Sequence, residues 1–371
     1  ANIQYKRMKI AFLHFYSGLV TRGTETFVHE LANTLADENQ VVVFQAGDPL
    51  KSARYQTSKI GAFTYRGNSS LLPETHTIKR LFLDPPKLKQ LLFTIQCLPE
   101  LLRLKPEIIY PTDSGWQALI CSILARLTGA KLVISGHSGP GWDDRWNLLV
   151  KPHLFVAFTK HQLRWGQKAS IWQQQFCVIP SGVDLSRFKP AGKKFPASLE
   201  KPIILMVAAS TPAKRVEQGI RAVSCLKSGS LLLLGQGPLD ERINKLGYGL
   251  LGEKRFFHTT ANPEKIPEYY RAADVFALCS ESREAFGTVY LEALATGLPI
   301  VATDDESRRE ILANCAVFVK NVDDEHEYAR AITKALKHRP RFRERALSRA
   351  KKFTWDKIGN SYQREFDQLF T

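Results

Sequence analysis

Short apolar runs alternate with amphipathic helical stretches along this chain, and they do so in two rounds. In the first, strand-like segments at 9–14, 41–45, 108–110, 131–135, 154–158 and 176–179 alternate with helical patterns at 24–37, 87–104, 115–128 and 160–174. Thr24–Asp37 shows the helical period well, with Phe27, Val28, Leu31 and Leu35 on one face. The second round has strand-like runs at 203–209, 230–234, 255–258, 275–278, 299–303 and 316–319, again with helical stretches between. Only helical patterns follow Val319, the last at 355–370. Repeated strand–helix–strand units require parallel sheets covered by helices on both faces. The rounds are separated by 180–202, which holds Pro180, Gly182, Pro190, Gly192, Pro196 and Pro202 among lysines and reads as a linker. The expectation is two doubly wound, Rossmann-like domains, 1–180 and 181–354, with a cleft between them and a C-terminal helix, 355–371, packing back on the first. In such sheets ligands bind outside the carboxyl ends of the strands.

Charge narrows the class of partner. Fifty-two Lys and Arg against 36 Asp and Glu give +16, spread over both halves of the 371 residues. Such a balance suits a phosphorylated substrate or an acidic membrane surface. No nucleic-acid motif with interleaved aromatics accompanies it, so nucleic acid is not expected as a partner. The apolar stretches fall well short of the roughly 20 residues of a spanning helix, and no secretory signal is evident near Ala1. Six scattered cysteines without a CxxC pair suit a reduced, cytoplasmic protein. The Asn68-Ser69-Ser70 triplet is a match expected by chance. His14, His29, His76, His153, His161, His258, His326 and His338 show no metal spacing, and no metal is expected.

The sharpest motif is Glu284-Ala-Phe-Gly-Thr-Val-Tyr-Leu-Glu292, which follows the run 275–278 and opens a helix. Free N–H groups and the helix dipole at Gly287 favour an anion there. A diphosphate fits the amides of Gly287, Thr288 and Val289, with one carboxylate reaching a sugar hydroxyl and the other a ribose. A solvated glutamate pair is the plain alternative for those two residues taken alone.

This Glu-x7-Glu resembles the nucleotide-sugar motif of the retaining glycosyltransferases of family 4, which have the two-domain GT-B fold. The likeness extends to Val178-Ile-Pro-Ser-Gly-Val-Asp184, Leu234-Gly-Gln-Gly-Pro238, Tyr270-Arg-Ala-Ala-Asp-Val-Phe276 and Ala295-Thr-Gly-Leu-Pro-Ile-Val-Ala-Thr303. Arg22-Gly-Thr-Glu25 is similar to the family's first-domain GGxE loop. The resemblance implies that Glu292 binds the nucleotide ribose, that Glu284 contacts hydroxyls of the transferred sugar, and that amides following Phe286 hold the diphosphate. It implies that Gly23 lets the backbone approach those phosphates, and that His137 faces the donor sugar. Lys214 matches the family lysine that neutralises the diphosphate. The family's arginine five residues earlier is Ala209 here, and Arg215 is the candidate replacement. Asp304–Arg309 replaces a glycine-rich turn and reads as a solvated loop.

The resemblance further implies a hexosyltransferase that needs no metal or cofactor beyond its co-substrate, a UDP- or GDP-linked sugar. The acceptor is a sugar or a lipid-linked sugar, selected by loops such as 46–86 and 136–147, and the two domains are expected to close around the donor. The basic, leucine-rich stretch 87–105 reads first as a sheet-covering helix. In similar enzymes such helices dock on anionic membranes, which adds peripheral contact with the inner face to the expectation. The basic cluster 334–352 reads as a solvated helical face. Two alternatives remain open: a degenerate binding protein, suggested by Ala209, and an epimerase of the same fold. A dehydrogenase is disfavoured, because no GxGxxG follows the first strand.

Overall fold

The computed structural model describes residues 7–20, 22–61, 80–281 and 284–371. Asn68–Ser70, His76 and the middle of the 46–86 loop lie outside these.

Two parallel sheets form from the apolar runs. The first comprises β1 (Lys9–Leu13), β2 (Gln40–Gln45), β3 (Gln56–Lys59), β4 (Ile108–Pro111), β5 (Lys131–Ser135), β6 (Leu154–Ala157) and β7 (Gln175–Val178), in spatial order 3-2-1-4-5-6-7. The second comprises β8 (Ile203–Val207), β9 (Ser230–Leu234), β10 (Phe256–Thr259), β11 (Val275–Leu278), β12 (Ile300–Thr303) and β13 (Ala316–Val319), in order 10-9-8-11-12-13. In both, the first strand lies between neighbours reached in opposite directions, so the chain order reverses at β1/β4 and at β8/β11. Central strands such as β1 and β11 are buried on both faces, as crossover helices require. β3 was not expected. Its sequence, Gln-Thr-Ser-Lys, is that of an exposed edge strand and carries no apolar run.

The first unit joins residues up to Ser181 with Trp355–Thr371. Its helices are α1 (Gly23–Leu35), α2 (Pro85–Leu104), α3 (Trp116–Thr128), α4 (Trp142–Leu149), α5 (Lys160–Ala169) and the C-terminal helix Trp355–Gln368. That last helix buries Trp355, Ile358, Tyr362 and Phe366 in this unit. Tyr362 Oη bonds Ser135 Oγ at 3.1 Å, and Gln363 accepts from Asn39 Nδ2 at 2.7 Å. α5 stops at Ala169, five residues short of the expected end, where Ser170 turns extended and its hydroxyl bonds Trp172. α2 covers the sheet with Phe93, Cys97 and Leu101, while Leu92, Ile95 and Leu102 stay exposed.

The second unit is Gly182–Thr354. It carries a 3-10 turn at Pro212–Lys214, α6 (Val216–Ser224), α7 (Asp240–Leu251), α8 (Ile266–Ala272), α9 (Thr288–Thr296), α10 (Glu306–Leu312), α11 (Glu325–Lys337) and α12 (Arg339–Ala350); the C-terminal helix is α13. Part of the basic cluster 334–352 is structural rather than merely solvated. Arg349 donates to the carbonyls of Ile311 and Glu310 at the end of α10 (2.9 and 2.6 Å), and Arg339 pairs with Asp274 at 2.6 Å. Among the described residues no helix is long and apolar enough to cross a membrane.

Candidate functional site

In the second unit the candidate residues gather where the order of the sheet reverses. Lys214 comes from the turn after β8, and Glu284 from the loop after the adjacent β11. The Glu281 amide bonds the Ala213 carbonyl at 2.8 Å and ties the two loops together. Lys214 Nζ then reaches Glu284 Oε1 at 2.5 Å. The other oxygen, Oε2, accepts from Ser280 Oγ and, at 3.1 Å, from Arg308. Burial alone would raise the Glu284 pKa. The charges of Lys214 and Arg308 outweigh it and hold the carboxyl below its ordinary value.

Three residues on, Gly287 takes φ +80° and starts α9. A Cβ there would lie 2.7 Å from the Tyr290 ring, so both backbone and packing demand glycine. Among the described residues the amides of Gly287, Thr288 and Val289 donate to no protein group. They sit at the positive end of the helix dipole. Phe286 is buried, its ring edge-on to Phe353. Within α9, Glu292 accepts from Tyr270 Oη at 2.6 Å, and burial pushes its pKa up to about 7. Arg215 is in the left-handed region (φ 50°) with its amide bonded to the Pro212 carbonyl at 3.1 Å, and among the described residues its side chain makes no hydrogen bond or ion pair. Ala209 is exposed at the end of β8 and offers no charge.

The first unit gathers its own candidates around β1/β4. A pocket of about 300 Å³ is lined by His14, Gly23, Glu25, Lys87, Asp113 and His137, among others. His137 follows β5 with its ring edge-on to Phe27 and Phe158 (4.7 and 5.0 Å between centroids), and its Nε2 is buried without a partner. Burial, aided by the nearby His14, lowers its pKa to about 3, so it is neutral at pH 7. His14 Nε2 lies 3.5 Å from Glu25 Oε1, and His14 Nδ1 bonds Thr112 Oγ1 at 2.6 Å. Burial opposes charge on both members of the pair, but their mutual attraction prevails. The His14 pKa is raised and that of Glu25 lowered.

Several contributors escaped the sequence reading. Arg308 belongs to the segment taken as a solvated loop. Asp305 caps α10 through the Arg308 amide at 2.9 Å, and the Arg308 side chain is only 2% exposed. A cap three residues before an arginine is a helix-start signal and says nothing of where the guanidinium goes. Asp144 is fully buried. Burial, against hydrogen bonds from the Ser138 amide and Gln162, pushes its pKa up to about 8. With Gln162, which donates to the Gly136 carbonyl at 2.6 Å, it fastens the loop that carries His137. One histidine, His326, does gain possible metal-ligand neighbours that its sequence spacing does not show. His326, Glu325 and Cys225 bring possible ligand atoms within 4.8 Å of one another at the surface.

Comparison with known proteins gives the family and the fold. The family description "Glycosyltransferase Family 4" matches residues 21–187, and "Glycosyl transferases group 1" matches 189–353. Similar curated proteins include the sulfoquinovosyl transferase SQD2 of Arabidopsis thaliana, 26% identical over 55% of this chain and 44% of its own length. Another is a GDP-mannose-dependent alpha-(1-6)-phosphatidylinositol monomannoside mannosyltransferase of Mycolicibacterium smegmatis, 30% identical over 48% of this chain and 54% of its own. The chain thus spans about half the length of the curated relatives it matches. Among solved structures, a sucrose-phosphate synthase from Thermosynechococcus elongatus shares the fold with a TM-score of 0.79 at 20% identity, over 98% of this chain and 99% of that one. Anabaena HepE, solved with UDP-glucose, does so with a TM-score of 0.74 at 17% identity, over 98% and 100%. With both halves matched and the GT-B fold in place, the chain belongs to the group 1, family 4 glycosyltransferases.

Proposed function

We propose that this protein is a retaining glycosyltransferase that moves a hexose from a nucleoside-diphosphate sugar, UDP- or GDP-linked, to a sugar or lipid-linked acceptor without a divalent metal. The observation that carries this reading is the joint placement of Lys214, Glu284, the open amides at the start of α9 and Glu292 at one end of the second sheet. Breaking a sugar–phosphate bond puts negative charge on the departing diphosphate. The amides of Gly287, Thr288 and Val289, the helix dipole and Lys214 supply positive potential for it. Glu292 accepts from the ribose hydroxyls and Glu284 from a hydroxyl of the sugar. In the first unit, Gly23 and the neutral His137 carry the donor-facing positions. No side chain is assigned as nucleophile. The acceptor attacks from the leaving-group face, and the departing phosphate takes its proton.

A lipid-linked acceptor is supported by relatives whose names specify phosphatidylinositol mannosides. Contact with an anionic membrane is supported by the exposed Leu92, Ile95 and Leu102 on α2 and by the net charge of +16. A second reading, donor binding without turnover, is favoured by the uncharged Ala209, for which Arg215 is the candidate replacement. NMR of the product formed from UDP-glucose or GDP-mannose separates these readings. Retention gives an α-linked product, formed equally well with a chelator present. A β-linked product contradicts retention, and donor binding without any transfer favours the second reading.

A further inference from the structure

Lys214 is the family-matched cation for the diphosphate, yet here it is committed to Glu284 at 2.5 Å. If Lys214 turned to a phosphate and nothing else held Glu284, a buried carboxylate would be left unpaired. Such an uncompensated buried charge is strongly destabilising. Arg308 removes the conflict. Its guanidinium donates to Glu284 Oε2 at 3.1 Å, Ser280 Oγ at 2.6 Å, the Glu281 carbonyl at 2.9 Å and Tyr290 Oη at 3.1 Å, and it pairs with Asp305. Tyr290 in turn donates to the Leu278 carbonyl at 2.8 Å, and its ring is the surface against which Gly287 packs. One buried side chain therefore fixes the Glu284 carboxylate and the ring beneath the anion-binding turn. Being buried and fully bonded, it does not itself stand in for the arginine missing at Ala209.

Building on the donor-site reading above, we propose that Arg308 is a positioning residue for the donor. It holds Glu284 by Oε2, so that Lys214 is free to turn to the diphosphate and Oε1 is free to accept from a sugar hydroxyl. Asp305 stays behind as the counter-charge of Arg308. With Lys214 shared in this way, one lysine serves where relatives use an arginine and a lysine.

The test is to titrate the Glu284 carboxyl carbon by 13C NMR in the wild type, Arg308→Met and Arg308→Lys, with Glu284→Gln identifying the signal. Each protein is measured alone and with UDP, UDP-glucose, GDP and GDP-mannose. Among the described residues the charged or titratable groups around this carboxylate are Lys214, Arg308, Asp305, Tyr290 and Cys279. In Arg308→Met the Glu284 midpoint should rise by about one pH unit or more, because one of its two cations is gone. A bound nucleoside diphosphate should raise it in the wild type as well, because Lys214 turns away, and should raise it further still in the variant, where no cation then faces Glu284. The preference for sugar nucleotide over bare nucleotide should fall about tenfold, the scale of one charge-assisted hydrogen bond. Arg308→Lys keeps the charge without the planar fork and should fall between the two. It carries the test if Arg308→Met does not fold. A purely structural Arg308 would lower the melting temperature and leave the midpoint in place, which would overturn the proposal. Should the wild type bind none of the four ligands, the donor reading fails, whereas the ligand-free midpoint still decides whether Arg308 holds Glu284.

Discussion

Two glutamates eight positions apart live in different electrostatic surroundings. Glu284 has two cations, Lys214 and Arg308, which outweigh burial and hold its carboxyl below the ordinary value. Glu292 accepts from the Tyr270 hydroxyl, and burial, outweighing that bond and the charge of Arg187, raises its pKa to about 7. Hydroxyls of a ribose donate to the ionised form, so binding and deprotonation of Glu292 are coupled. Nucleotide affinity should therefore be full above pH 7 and decline as pH falls through that value, approaching tenfold per unit. Glu292→Gln should bind more weakly at pH 8 and show a flatter profile by calorimetry; an unchanged slope would refute the assignment. Glu284→Ala, by contrast, should depress turnover far more than nucleotide affinity. Equal transfer rates in Glu284→Ala, Glu292→Ala and the wild type would sink both roles.

At the scale of elements, the site is made by where strands end. The turn after β8 and the loop after β11 are neighbours because the strand order reverses between them, and α9 starts from that loop. Gly287 is the joint. Gly287→Ala must adopt φ +80° with a side chain and push into Tyr290. We expect a loss of about 1–3 kcal/mol in stability, read by urea denaturation, together with weaker diphosphate binding. A variant as stable as the wild type would show that the turn relaxes freely. This level was largely legible in the sequence. Apolar runs such as 230–234 and 275–278 coincide with β9 and β11, because buried parallel strands must be apolar on both faces. The Glu-x7-Glu motif and Lys214 were likewise visible. What the sequence concealed depends on three-dimensional closure. The polar edge strand β3 has no periodicity to detect, and Arg308 and Asp144 look like surface residues until their partners fold over them. Arg308 meets Ser280 and Glu284 from across 24 or more positions of sequence, a pairing that no local pattern encodes.

For the whole molecule, the chain forms two units with separate sheets, and the C-terminal helix α13 belongs to the first. Tyr362 bonds Tyr110 and Ser135 beneath the first sheet, while Asn39 and Gln363 join residues 324 positions apart. Deleting 355–371 should strip the first unit of hydrogen-exchange protection in β1 and β4 and leave that of β8 and β11 intact. Uniform protection in the truncated chain would contradict this division. The proposed binding of a nucleoside-diphosphate sugar belongs to the second unit. Its most direct test is a thermal-shift screen with UDP, GDP, ADP and their common sugar conjugates, since a ligand that binds only the folded form raises the melting temperature. A clear rise with one nucleotide, lost in Glu292→Ala, is the predicted result. Flat curves with every nucleotide would contradict it.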